Sequence, residues 1–199
     1  FYIPNPCDHS FETLNNFKKS CSVDVFFALS HGVHRGKLKS GKEDDRIIFL
    51  KKLQEITSNV KFDLYGINNI QPIWADHYFK TISNAKMGLN LSRGDAIKYY
   101  SSDRITQIVG NGLVCLIDEK TQYRDFFSNN EMVFYKNLND LSEKICKISG
   151  DDKLRRKIGQ NGKDKYMKYL NQFDQRLLLA ILQEQIVRRH LPNLKTILP

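Results

Sequence analysis

The sequence predicts an α/β fold, a parallel sheet covered by helices on both faces, and three observations carry that reading. Short apolar runs alternate with segments whose apolar residues recur at helical spacing, the pattern of repeated strand and helix units. Each of the first three apolar runs delivers a polar loop: His31 to Gly41, Gly66 to Ile73 and Ser92 to Asp103. The 199 residues, 41% hydrophobic and 27% charged, suit one ordinary soluble domain with a substantial core, or one domain plus long terminal helices.

Taken in order, the chain opens on Tyr2-Ile-Pro-Asn-Pro6, which reads as an interdomain connection, so residues 1–22 are assigned to a lead-in from a longer protein. Val23 to Ser30 is the first strand. The loop His31 to Gly41 follows, rich in Gly and cations. Over Glu43 to Ile56 the apolar positions Ile47, Ile48, Phe49, Leu50, Leu53 and Ile56 predict a helix with Glu43, Asp44 and Asp45 in its first turn. Val60 to Gly66 is a second strand, stopped by Gly66, and Asn68, Asn69 and Pro72 mark a loop. A short helix at Asp76 to Ser83 precedes a strand at Met87 to Leu91, and a helix at Arg104 to Val109 precedes a strand at Leu113 to Ile117. Thr121 to Phe127 reads as a helical turn and Glu131 to Tyr135 as the last strand. Asn139 to Ser149 reads as a helix capped by Asn139 or Asp140. Two long helical segments, Asp151 to Leu170 and Gln172 to His190, end the chain. The sheet domain is placed at 23–182, with 183–199 as helix end and tail.

In sheets of this kind ligands bind outside the carboxyl ends of the strands, in the crevice where strand order reverses. All three polar loops follow strands and should converge there. The stretch from Lys86 to Asp118 is the most informative, because a strand, a polar loop with Arg93, and a helix opened by Ser101, Ser102 and Asp103 succeed one another. A helix N-terminus presents unpaired N–H groups and the positive end of a dipole, which suits a phosphate.

Candidate ligand residues are therefore Arg93, Tyr100, Ser101, Ser102, Asp103, Arg104 and Gln107 around this helix, and Gly32, Arg35 and Lys39 in the first loop. Arg35 offers a planar fork for phosphate, and Gly32, Gly36 and Gly41 permit close backbone approach. That loop matches neither a G-x-x-x-x-G-K-[ST] phosphate loop nor G-x-G-x-x-G, and an ordinary basic turn explains it equally well. Asp103 could simply cap its helix. His31 and His34 flank the first loop without a partner at metal-ligand spacing, so no metal is expected. Trp74 and Tyr78 could stack a base or sugar, with packing the expected role of at least one.

The excess of 31 Lys and Arg over 22 acidic residues, a formal +9, favours an anionic partner. Nucleotide diphosphates, acidic phospholipid surfaces and nucleic acids all qualify. Much of the charge falls after Ser142, where a solvated helix face is the simpler expectation; the alternative is a basic stripe at Lys153 to Lys168, with Tyr166 and Tyr169 interleaved, that grips nucleic acid. Cys7, Cys21, Cys115 and Cys146 show no C-x-x-C spacing, which points to a reducing compartment and no structural zinc. No apolar run approaches the roughly 20 residues that span a bilayer.

Tyr65-Gly66, Leu89-Asn-Leu-Ser-Arg93 and Arg104-Ile-Thr-Gln-Ile-Val-Gly-Asn-Gly-Leu-Val114 together resemble the carboxyl-terminal half of GT-B glycosyltransferases. The likeness is greatest to the spore-maturation-type, glycosyl-transferases-group-1-like domain, and it extends from Val23 to Leu182. The resemblance implies a Rossmann-like domain that binds a nucleoside-diphosphate sugar as donor, uses no cofactor or metal, and meets an acceptor domain at its amino-terminal side. It places diphosphate at the basic loop around Arg35, the nucleobase near Gly66 and Asn68, and phosphate or ribose at Ser101 to Arg104. The family's two glutamates, eight positions apart, are replaced here by Tyr99 and Gln107. Gln107 can hydrogen-bond but cannot act as a general base.

The resulting expectation is the donor-binding part of a metal-independent glycosyltransferase, with Arg35, Lys39, Arg93 and Arg104 stabilising the diphosphate. It is expected in the cytoplasm, with the inner face of the membrane as a further anionic partner, and nucleic acid is not the expected partner. Two alternatives stand beside it: a noncatalytic binder of nucleic acid or anionic surfaces, and a transferase-like domain that only binds ligand.

Overall fold

A computed structural model describes residues 11–29, 44–100 and 102–168. Five parallel strands form one sheet: β1 (Val23–Ala28), β2 (Phe62–Tyr65), β3 (Ala85–Asn90), β4 (Val114–Asp118) and β5 (Val133–Tyr135). Their order is β2-β1-β3-β4-β5. The helices are α1 (Asp45–Ile56), α2 (Ala75–Ile82), α3 (Asp103–Gly110), α4 (Leu138–Gly150) and α5, described over 152–168. This is the Rossmann-like α/β architecture expected. The expected helix at Gln172 to His190 lies outside the described residues.

Strand alternation sorts the core into two layers. Val25, Phe27, Met87, Leu89, Val114 and Leu116 face one side, where they meet Leu50 and Leu53 of α1 and Leu141 and Ile145 of α4. Phe26, Ala85, Cys115 and Ile117 face the other, against Ile82 of α2 and Ile105, Ile108 and Val109 of α3. Leu50 and Leu53 are at most 1% exposed, so each contributes about 2 kcal/mol to holding α1 on the sheet. At Gly88 an added Cβ would lie 2.4 Å from Ile108, so the absence of a side chain lets α3 settle onto β3.

Local chemistry moved several element ends. α4 begins at Leu138, one residue before the expected cap, because Asn137 is extended and its side chain accepts from Asp140 N. The Asp140 carboxylate is engaged by Lys136 N and Lys144 instead. Asp103 is the first residue of α3 rather than its cap; Ser102 holds the cap position. β2 starts only at Phe62, since Lys61 N donates to the Asp24 carboxylate at 2.8 Å. The expected turn at Thr121 to Phe127 is a pair of 3₁₀ turns, Glu119–Thr121 and Tyr123–Asp125, hinged at Gln122 with φ 56°.

The basic residues of α5 are not simply a solvated face. Arg155, 1% exposed, donates to the carbonyls of Asn16 and Lys19 at 2.8 and 2.9 Å. Arg156 reaches the Phe17 carbonyl and Lys163 the Leu14 carbonyl, so one helix ties down the backbone that leads into β1. Tyr166 is buried with its hydroxyl against Thr106, which removes it from any base-stacking stripe; Tyr169 lies outside the described residues.

Candidate functional site

Strand order reverses between β1 and β3. β1 runs on to β2 on one side while the chain returns to β3 on the other, and a crevice opens where their carboxyl ends diverge. A cleft of about 610 Å³ lies there. Its floor is made by Ala28 and Leu29 at the end of β1 and Leu91 and Ser92 after β3. Its walls come from the first turn of α1, the start of α2 and the N-terminal turn of α3.

Of the residues singled out from sequence, Arg93, Tyr100, Ser102, Asp103, Arg104 and Gln107 all line this cleft. Gly66 and Asn68 do not line it. Gly66 is buried at the end of β2, where its φ of +76° brings the backbone against the Leu29 carbonyl, and Asn68 is an exposed loop residue in the left-handed region. Gly32, Arg35, Lys39 and Ser101 lie outside the described residues.

Arg104 is half-buried beneath the cleft. Its Nη1 donates to the Leu91 carbonyl at 3.1 Å, its Nη2 approaches the Ala28 carbonyl at 3.5 Å, and its guanidinium lies 4.8 Å from the Phe27 ring centre. It therefore spans the fork between β1 and β3. Burial lowers its pKa, and the like charge of Arg46 adds to the effect, but an arginine remains protonated across the working range.

Arg46 was not singled out from the sequence. It is 7% exposed, lines the cleft, and forms a two-pronged pair with Asp44: Nε to Oδ1 at 2.9 Å and Nη2 to Oδ2 at 2.6 Å. Asp44 also caps α1 by accepting from Arg46 N, and Arg93 Nε lies 3.9 Å from its Oδ2. The hydrogen bonds from Arg46 hold the Asp44 carboxyl below the usual carboxylate range. The available signal was the Asp44-Asp45-Arg46 run at a helix start, which capping alone explained.

Electrostatically, three guanidiniums meet one lining carboxylate, Asp103, and the anchored Asp44. The cleft is thus net positive among the described residues. The N-cap hydroxyl of α3 is turned away from its helix, with Ser102 Oγ 3.1 Å from Asn90 Oδ1, so Ser102 does not itself cap that first turn. Trp74, 60% exposed, stands on the rim beside Ala75, whose φ of 48° is unusual for a residue with a Cβ. Tyr78 packs edge-on to Phe26 at 5.4 Å, and burial raises its pKa. The Tyr99 hydroxyl donates to Asp125, and Tyr99 does not line the cleft. Burial pushes the Cys115 thiol up to about 12, which leaves it an unreactive core residue. Among the described residues no group of three His, Cys, Asp or Glu is placed to hold a metal ion, and none of their helices is long and apolar enough to cross a membrane.

A doubly wound parallel sheet with a cationic crevice at its switch point defines the class as a Rossmann-like α/β domain. The chain belongs to the glycosyl transferase-like family, whose profile matches residues 46–177. It is a GT-B glycosyltransferase domain by fold. TarM superposes with a TM-score of 0.54 at 13% identity, covering 89% of this chain and 37% of TarM. A sucrose-phosphate synthase from Thermosynechococcus elongatus superposes with a TM-score of 0.52 at 14% identity, covering 94% of this chain and 50% of the synthase. The chain therefore spans half or less of the length of these proteins. No curated protein matches it in sequence.

Proposed function

We propose that this domain binds the nucleoside-diphosphate sugar of a glycosyltransferase reaction, and that arginine side chains rather than a metal ion stabilise the departing diphosphate. The observation that carries the reading is the cleft at the β1–β3 fork, lined by Arg46, Arg93 and Arg104. A diphosphate leaving group develops negative charge as the glycosidic bond breaks, and preorganised cations in a partly dehydrated crevice stabilise that charge most effectively. The N-terminal turn of α3 adds backbone N–H groups on the same wall.

Acceptor binding and the catalytic base are assigned to a second domain on the amino-terminal side, consistent with the 37% and 50% of the two structural neighbours that this chain spans. Gln107 lines the cleft as a hydrogen-bonding group to ribose or sugar hydroxyls and contributes no charge. Cytoplasmic placement belongs to the same reading, supported by free thiols at Cys21, Cys115 and Cys146.

The test is thermal melting of the chain with UDP, GDP, ADP, CMP and dTDP in turn. One nucleotide is expected to raise the melting temperature, and Arg93→Ala and Arg104→Ala to abolish the rise. Stabilisation by none of the five would count against donor binding by this domain.

A further inference from the structure

Arg46 is a buried cation with an unspent face. Its Nε and Nη2 are committed to Asp44, while Nη1 has no hydrogen-bond partner among the described residues, and the side chain lines the cleft rather than the core. Only 7% of the residue is exposed, so removing it from water carries a cost that a surface arginine avoids. One carboxylate repays part of that cost. The same carboxylate lies 3.9 Å from Arg93, and the remaining guanidinium of the cleft, Arg104, is held among the described residues by the Leu91 and Ala28 carbonyls and the Phe27 ring. The positive charge is thus gathered from three elements, α1, the segment after β3, and α3, onto one crevice.

We propose that Arg46 is an anion-binding residue of the cleft, acting with Arg104 on a single phosphoryl group, and that Asp44 is the positioning residue that fixes its guanidinium fork. The identity of that phosphoryl group, part of a nucleotide diphosphate, rests on the proposed function. Bidentate anchoring holds the guanidinium plane in one orientation before ligand arrives, so less conformational freedom is lost on binding than by a mobile lysine. Asp44 performs this while also capping α1, which ties the fork's position to the first turn of that helix.

Isothermal titration of the full chain with inorganic pyrophosphate tests the proposal without requiring knowledge of the base or sugar. Arg46→Gln is expected to weaken pyrophosphate binding about tenfold or more, the loss of a charge-assisted contact. Arg46→Lys, which keeps charge but not the fork, is expected to recover only part of the affinity. Asp44→Asn is expected to weaken binding several-fold with the arginine still present. Lys86→Gln supplies the structural comparison, since it breaks another partly buried ion pair, with Asp24 at 2.8 Å, away from the cleft. It should lower the melting temperature and leave pyrophosphate affinity unchanged. Titrations are made at a temperature where circular dichroism shows each variant folded, and Arg46→Lys carries the test if Arg46→Gln does not fold. Unchanged affinity in a folded Arg46 variant, with affinity lost in Arg104→Ala, would overturn this inference and leave the donor-binding reading intact. No binding by the unaltered chain would overturn both.

Discussion

At φ +76°, Gly66 turns the chain out of β2 so close to β1 that a Cβ would lie 2.3 Å from the Leu29 carbonyl oxygen. The left-handed conformation alone costs a side chain about 1–2 kcal/mol, and a contact this short with backbone must be relieved by moving a strand end. Gly66→Ala is therefore expected to lower unfolding free energy by about 3 kcal/mol in urea denaturation. A loss below about 1 kcal/mol would mean that the β1–β2 edge yields easily. Gly66 was picked out as a neighbour of the nucleobase, yet the structure gives it a backbone role outside the cleft. Arg104 differs again, because it lines the cleft and also bonds the strand-end carbonyls, so substituting it alters both the site and its floor.

Between elements, the most consequential contact is that of α5 with the segment leading into β1. Arg155 supplies both Nη groups to backbone carbonyls and its Nε to Asp152 at 2.7 Å. Asn16, fully buried, meanwhile donates to the carbonyls of Ile82 and Ala85, so the lead-in is wedged between α5 and the α2–β3 turn. Arg155→Ala removes the guanidinium donor from two carbonyls, leaving Asn16 O with the longer bond from Lys19 N at 3.3 Å, and opens a void. A loss of about 3 kcal/mol is expected in chemical denaturation, far more than the 0–1 kcal/mol typical of a surface ion pair. Faster proteolysis near residues 12–19 should accompany it. If the cost proved similar to that of a surface pair, the anchoring role would be wrong.

Across the whole molecule, acid should act, among the described residues, through four carboxylates whose folded pKa is depressed, Glu131, Asp140, Asp152 and the least exposed of them, Asp44. The hydrogen bonds from Arg46 depress its folded pKa, and those from Arg156 depress that of Asp152. The unfolded chain then binds more protons than the folded one between the two pKa values, so both groups stabilise the fold above the ordinary carboxylate pKa of about 3.9. That contribution is lost as pH falls through the folded values. The melting temperature is expected to change little near neutrality on their account and to fall below about pH 4, with a shallower fall in Asp44→Asn. Asp152 is half exposed and screened, so its share is small. An identical acid profile in Asp44→Asn would show that the Asp44–Arg46 pair is not the group that titrates.

The sequence by itself determined the α/β class, the five strands and the cleft's lining by Arg93, Tyr100, Ser102, Asp103, Arg104 and Gln107. These are local properties, since apolar runs, helical spacing and polar loops after strands are written in neighbouring residues, and a parallel sheet sends every such loop to one edge. Cap positions were less legible because Asn137, Asn139 and Asp140 are all capping residue types, and only the folded chain shows Asn137 bonding Asp140 N while the Asp140 carboxylate takes Lys136 N and Lys144. Only the tertiary structure decided that Arg46 joins the cleft and that α5's cations turn inward. Both depend on partners that chain order does not reveal. The Arg46 fork faces a crevice formed by elements distant in sequence, and Arg155 meets carbonyls more than a hundred residues earlier. A charged side chain becomes structural or functional according to what surrounds it, and for these arginines the surroundings exist only once the chain has folded.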